Sequence, residues 1–169
     1  MKRLAAYLDT LAEWGRRTNL TGARTAAERV RLLVADVLPA AFLPEPGTLI
    51  DVGSGNGSPG LVLALVRDDL EVTLLEPRVR RWAFLKEAAR ASARRVNVLR
   101  QRHDGYSGPA ARTVTLRAVA LPLAELGGLV EPGGRVLVFG GRPQAGVPFA
   151  PTGEGEGLAG GVSVFRRLG

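Results

Sequence analysis

Residues Leu49 to Gly60, LIDVGSGNGSPG, place four glycines and a proline directly behind a short apolar run. No other stretch constrains the fold as tightly. Thr48 to Val52 has the length and composition of a strand, and Pro59 to Val66 reads as a helix. The chain must therefore pass from strand to helix through a segment with almost no side chain. A parallel sheet makes such turns where its strands hand over to crossover helices, and that edge is where open sheets bind ligands. Glycine leaves no Cβ between the backbone and a ligand, and a helix start adds unpaired N–H groups. Proline suits that first turn because it has no N–H to lose.

The flanking pattern agrees with this. Before the glycine stretch, Leu4, Tyr7/Leu8, Leu11/Ala12 and Trp14 recur at helical spacing over Lys2 to Arg17, and residues 18–22 break the pattern. A second helix is expected from Thr25, whose spacing to Glu28 is that of a capping box, to about Leu38 before Pro39. Residues 44–47, Pro-Glu-Pro-Gly, read as a connector. Beyond the stretch, strands are expected at Glu71 to Leu75, Val96 to Leu99, Val114 to Leu116, Arg135 to Phe139 and Val162 to Phe165. Helices are expected at Val79 to Ala93 and from about Leu121 to Val130, and a Gly- and Pro-rich loop at Pro143 to Gly161. Strands separated by helices imply an α/β fold with a mostly parallel sheet covered on both faces. The expected organisation is a helical extension, residues 1–46, packed on one compact unit, residues 47–169.

Composition narrows the function classes. The chain has no cysteine and one histidine, which excludes disulfides and thiolate metal sites and disfavours histidine-based metal or triad chemistry. No apolar run approaches the roughly 18–20 residues of a membrane span, and the N-terminus lacks a signal-peptide pattern, so a cytoplasmic protein without metal or membrane partner is expected. It is expected to act as a monomer. The net charge of +7 is unevenly spread. Nine basic residues between Arg78 and Arg102 face a single acid, Glu87, while the other fourteen basic and fifteen acidic residues nearly cancel. Such a local excess points to a polyanion, with a solvated helix face as the plainer alternative.

From the residues alone, the glycine loop suits two ligands. Gly55-x-Gly57-x-x-Gly60 matches the dinucleotide fingerprint, with Glu76 nineteen residues after Gly57 as a ribose partner. Asp51, however, turns the stretch into D-x-G-x-G-x-G, a pattern typical of S-adenosyl-L-methionine sites. A carboxylate there favours a cationic amino-acid tail and repels a pyrophosphate. A purely structural turn is the third reading.

The order of motifs along the chain adds to this. Asn19-Leu20-Thr21, Asp51 to Gly60, Leu74-Leu75-Glu76 followed by Arg80-Arg81 and Phe84-Leu85, Arg117-Ala118 and Pro132-Gly133-Gly134 together resemble the RsmG/GidB family. The resemblance runs from about Leu11 to Phe139, and Gly57-Ser58-Pro59-Gly60 is its most discriminating element. It implies a class I, Rossmann-like methyltransferase fold and transfer of a methyl group from S-adenosyl-L-methionine, leaving S-adenosylhomocysteine. The acceptor it implies is guanine N7 in ribosomal RNA of the small ribosomal subunit. Guanine N7 offers a lone pair and no proton, so the absence of a general base is consistent with that chemistry.

The candidate cofactor-binding residues are Asp51, Gly53, Ser54, Gly55, Gly57, Glu76, Pro77, His103 and Asp104, and the candidate substrate-binding residues are Asn19, Arg80 and Arg81. The resemblance implies that Arg102 and Arg117 face the RNA or the methyl acceptor. Plainer readings stand beside these: a solubilising Arg102, an ion-paired Arg117, an exposed loop histidine at 103 and a turn-forming Asn19. Trp14 and Trp82 read as packing residues. Three positions depart from the family pattern: Leu32 where a histidine is usual, Arg112 where an aspartate is usual, and Gly140 where a lysine is usual.

Overall fold

The computed structural model describes residues 1–141, 143 and 145–169. Its centre is a seven-stranded sheet in the order β3-β2-β1-β4-β5-β7-β6. The strands are β1 (Gly47–Val52), β2 (Leu70–Leu75), β3 (Asn97–Leu99), β4 (Ala111–Arg117), β5 (Val130–Phe139), β6 (Phe149–Pro151) and β7 (Val162–Arg167). The first five run parallel, and β7 pairs antiparallel with both β5 and β6. This is the expected mostly parallel α/β sheet. The chain leaves β1 for β2 on one side and returns to β4 on the other, which opens a crevice at the carboxyl ends of these strands.

Among the described residues, four α-helices accompany the sheet: α1 (Lys2–Trp14), α2 (Ala26–Val30), α3 (Gly60–Val66) and α4 (Val79–Ala91). Strand alternation divides the interior into two cores. Leu49, Leu74, Leu137 and Phe139 point into one with Tyr7, Leu11, Phe84 and the buried face of α3. Ile50, Val52, Leu116, Val136 and Val138 point into the other. Trp14 meets Phe84 edge-on, at 6.0 Å between ring centres, and the Trp82 indole N–H donates to the Val98 carbonyl at 3.2 Å. Both tryptophans thus serve packing.

Four expected elements come out differently, each for a local reason. The helix expected over residues 121–130 is a single 3-10 turn, Leu123–Leu126, because Pro122 precedes it and Gly127-Gly128 follows. Leu123, Leu126 and Leu129 still cover the second core, so the pattern of apolar residues marked their burial but not their conformation. The second helix begins as expected, with the Thr25–Glu28 capping box formed in both directions. After Val30, however, it widens into a π-helix, Arg31–Ala35, and then a 3-10 turn, Leu38–Ala40. A short strand, β6, lies inside the expected C-terminal loop, where Phe149 is buried beside β7. Gln144, also within that loop, lies outside the described residues. Finally, β5 starts at Val130, with Gly133 taking a positive φ of 79° inside it. No helix among the described residues is long and apolar enough to cross a membrane.

The basic excess is also resolved into parts. Arg94 is bound inward: its Nε donates to the Ala64 carbonyl and its Nη2 to the Leu70 carbonyl, each at 2.7 Å, tying α4 to the end of α3. Arg90 pairs with Glu87 at 2.6 Å, and Lys86 stands 4.7 Å from the centre of the Trp82 ring. Arg78, Arg80, Arg95 and Arg100 are exposed. None of these four forms an ion pair among the described residues.

Candidate active site

A cavity of about 610 Å³ lies at the carboxyl ends of β1, β2 and β4. Its floor is the glycine loop. Gly53 and Gly55 adopt positive φ of 68° and 52°, which turns bare backbone toward the space. A Cβ on Gly53 would stand 2.8 Å from Cγ2 of Val119, another residue of the wall. Ser54 lines the cavity, while its N–H bonds the Leu75 carbonyl and its hydroxyl donates to the Asp51 carbonyl, both at 3.0 Å.

Glu76, at the end of β2, is 2% exposed and lines the same wall. Its Oε2 accepts the Gly55 N–H at 2.9 Å and its Oε1 the Arg78 N–H at 2.8 Å. The carboxylate is thereby fixed at the cavity edge with lone pairs to spare on each oxygen. Pro77, Arg78, Arg81 and Arg102 continue the lining. Arg81 Nη2 donates to the Asn19 carbonyl at 3.4 Å, whereas Arg102 pairs with Asp104 at 3.2 Å in the open. His103 also lines the cavity, with Nε2 3.0 Å from Oε2 of Glu125. That contact joins the turn after β3 to the turn after β4, so His103 is not a free loop histidine.

Asp51 departs from its expected place. It is fully buried and lies under the loop, outside the cavity wall. Oδ1 accepts the Thr115 hydroxyl at 2.6 Å, and Oδ2 faces the Gly60 N–H without closing a full hydrogen bond. Burial raises its pKa to about 6 from 3.8, opposed by the Thr115 hydroxyl. A group whose pKa is raised on folding contributes stability in full below its unfolded pKa and loses it as pH rises through the folded one. Loss begins at the unfolded pKa, so between pH 5 and pH 7.5 about one pKa unit remains to be lost, and the wild type should lose about 1.4 kcal/mol of stability relative to Asp51→Asn. Thermal unfolding of both proteins across that range measures it, and parallel pH profiles would remove the buried charge from the account.

Four further expected residues also stay out of the wall. Gly57, with φ of 90°, is closed in by Leu61 and Tyr7. Asp104 and Arg80 are exposed beyond the cavity, and Asn19 stands behind Arg81, whose guanidinium donates to its carbonyl. The departures from the family pattern are spread out too. Arg112 sits at the amino end of β4, away from the crevice, and its N–H bonds the Thr48 hydroxyl. Gly140 follows β5 outside the wall, and Leu32 packs on the first core.

The residues missed in the sequence are those that brace the loop from the N-terminal segment. The Tyr7 hydroxyl donates to the Asn56 carbonyl at 2.8 Å, and Asn56 Nδ2 donates to the Leu20 carbonyl at 3.1 Å. The Ser58 hydroxyl donates to the Leu33 carbonyl at 2.8 Å. That carbonyl lies within the π-helix, whose Asp36 N–H bonds back to Arg31 rather than to Leu32. The wider turn leaves a main-chain acceptor for the loop, the kind of irregularity π-turns introduce at functional sites. Leu20 and Leu33 complete the wall on that side, and residues 118–122 complete it after β4. Ser and Asn between glycines were the available signal, since they have little reason to be there unless something hydrogen-bonds them. Their partners, being main-chain carbonyls, left no trace in the sequence.

Comparison with known proteins places this geometry in context. The family model described as GidB, rRNA small subunit methyltransferase G, matches residues 1–145. Ribosomal RNA small subunit methyltransferase G of Gluconobacter oxydans is 39% identical over 126 residues, 74% of this chain and 64% of that protein. The protein of the same name from Halorhodospira halophila is 39% identical over 148 residues, 84% and 70%. The chain thus spans about two thirds of the length of these relatives. A solved structure of a SAM dependent methyltransferase from Aquifex aeolicus superposes with a TM-score of 0.62 at 14% identity, covering 93% of this chain and 97% of that one. At that identity the likeness shows the fold, that of class I methyltransferases.

Proposed function

The chain belongs to the GidB family of rRNA small subunit methyltransferases, and on that premise we propose that it methylates guanine N7 in ribosomal RNA of the small subunit, using S-adenosyl-L-methionine, in the cytoplasm. The observation that carries this is the pairing of Glu76 with the bare backbone of Gly53 to Gly55 in one cavity wall that also holds Arg117. A buried carboxylate with free lone pairs suits a ribose diol, and uncovered backbone suits the rest of a nucleoside lying flat on it. A dinucleotide fits less well: the helix behind the loop is only seven residues long, and its first turn faces Asp51 rather than the cavity.

S-adenosyl-L-methionine, when bound, supplies an electrophilic methyl group. Glu76, Gly53, Ser54 and Gly55 would hold and orient it, and His103 with Glu125 would bound the cavity between the turns after β3 and β4. Arg117 and Arg102 would face the acceptor. N7 needs no proton removed, so the residues act by alignment and exclusion of water, and alignment alone contributes up to roughly 7–11 kcal/mol. The guanidinium groups suit base and phosphate because they are planar, permanently charged and bidentate. The unpaired Arg78, Arg80 and Arg100 would extend the path for RNA away from the cavity. In this reading residues 1–46 form an extension that braces the catalytic unit, residues 47–169.

The test is incubation with labelled S-adenosyl-L-methionine and, separately, 30S subunits, naked 16S rRNA and protein extract. Label in RNA, mapped to guanine N7, is expected, with RNA affinity falling steeply as salt rises because phosphate contacts release counterions. Label confined to protein or small molecules would falsify the proposal.

A further inference from the structure

Arg117 is held by more than the sheet. Its Nη1 donates to the Ser58 hydroxyl at 3.0 Å and its Nη2 to Oδ2 of Asp36 at 3.3 Å. Side-chain exposures of 21% for Arg117 and 24% for Asp36 place this ion pair mostly out of water. Asp36 ends the π-helix and is itself pressed from behind. Gly160, with φ of 85°, lies against the Asp36 carbonyl, and a Cβ there would stand 2.8 Å from Asp36 Cβ. Gly160 belongs to the glycine-rich connection between β6 and β7, whose residues 152–161 do not line the cavity. The end of the π-helix and Ser58 of the glycine loop therefore meet on one guanidinium, and the connection between β6 and β7 reaches it through Asp36.

We propose that Asp36 is a positioning residue for Arg117, and that the Gly153–Gly161 connection acts as its outer buttress. The ion pair and the Ser58 bond use two of the five N–H donors of Arg117 and fix the plane of the group, leaving three to meet an acceptor. Without Asp36 the guanidinium keeps one tether and can rotate about it. The chain would then retain its cofactor wall while losing alignment on the acceptor side. This inference rests on the proposed function insofar as Arg117 faces the methyl acceptor.

The experiment uses the full chain and two readouts. The first is independent of turnover: side-chain ¹⁵N relaxation of the Arg117 Nε–H, assigned with Arg117→Lys, in wild type, Asp36→Asn and Gly160→Ala. The order parameter of Arg117 should fall in both variants. The second is methyl transfer to 30S subunits or 16S rRNA. Turnover should fall about 10- to 100-fold, the scale of a misplacement near 1 Å, while calorimetric affinity for S-adenosylhomocysteine stays within about twofold of wild type. The Asp36→Asn/Arg117→Lys double variant should be no worse than Arg117→Lys alone, because the two residues act as one unit. An unchanged order parameter in Asp36→Asn overturns the inference whether or not transfer is seen, and so does a fully additive double variant. An unchanged Gly160→Ala removes the buttress. Wild type that transfers nothing to RNA, with the order parameter still falling in Asp36→Asn, defeats the functional reading and keeps the positioning contact.

Discussion

Glu76→Ala is expected to weaken binding of S-adenosylhomocysteine by at least about a hundredfold. Hydrogen bonds to a charged acceptor contribute about 1.5–3 kcal/mol each, and a ribose offers two hydroxyls to this carboxylate, so the loss spans two or more factors of ten. The variant should also be less stable even without ligand. Glu76 accepts the Gly55 and Arg78 N–H groups, and the Gly55 N–H is buried. An orphaned buried donor costs about 1–3 kcal/mol, which corresponds to a fall of several degrees in melting temperature for a chain of this size. Glu76→Gln should fall between, since an amide offers one acceptor where two N–H donors converge. Calorimetric titration with thermal unfolding separates the two effects. Near-normal affinity in a folded Glu76→Ala protein would remove the carboxylate from the site.

How far this cavity could be foreseen from the sequence depends on which physical signal each part leaves. Periodicity reports burial, so β1, β2, α1, α3 and α4 stand close to where the apolar pattern puts them. It does not report conformation once a proline and paired glycines intervene, and residues 121–130 became a turn for that reason. Parallel pairing and the crevice at the strand ends follow from the alternation of strands and helices, and that is why Gly53, Gly55 and Glu76 could be grouped from spacing alone. Asp51 could not. Its one-residue offset along an alternating strand sends its side chain to the α3 face, and nothing in D-x-G-x-G-x-G distinguishes a carboxylate beside a ligand from one beneath the loop. The braces from Tyr7, Leu20 and Leu33 were hidden because main-chain carbonyls carry no sequence identity. Arg117 was legible as a residue and not as a device: its partner Asp36 is 81 positions away.

Gly60→Ala is expected to be strongly destabilising, although it adds a single methyl group. Gly60 opens α3 directly against β1, and a Cβ there would stand 2.5 Å from Cγ and 2.6 Å from Oδ2 of Asp51. No neighbour can give way. Asp51 is fully buried with Oδ1 bound to Thr115, and every residue of α3 from Gly60 to Leu65 is buried as well. The methyl group fits only if α3 lifts from the sheet, which opens the core around Leu61 and Leu63. Overpacking in a closed core costs about 1–3 kcal/mol, and lost contacts along a whole helix add to that, so about 3 kcal/mol or more is expected. Gly22→Ala is the matched control, because nothing lies within 4 Å of the added atom. Denaturant unfolding of the two variants should separate them by that margin. A Gly60→Ala protein as stable as Gly22→Ala would mean that α3 does not bear on Asp51 as described. The close approach of helix to strand, more than any ligand, is then what requires the last glycine of LIDVGSGNGSPG: the first two leave bare backbone on the cavity floor, the third makes room for Tyr7, and the fourth lets the helix that carries the loop reach the sheet.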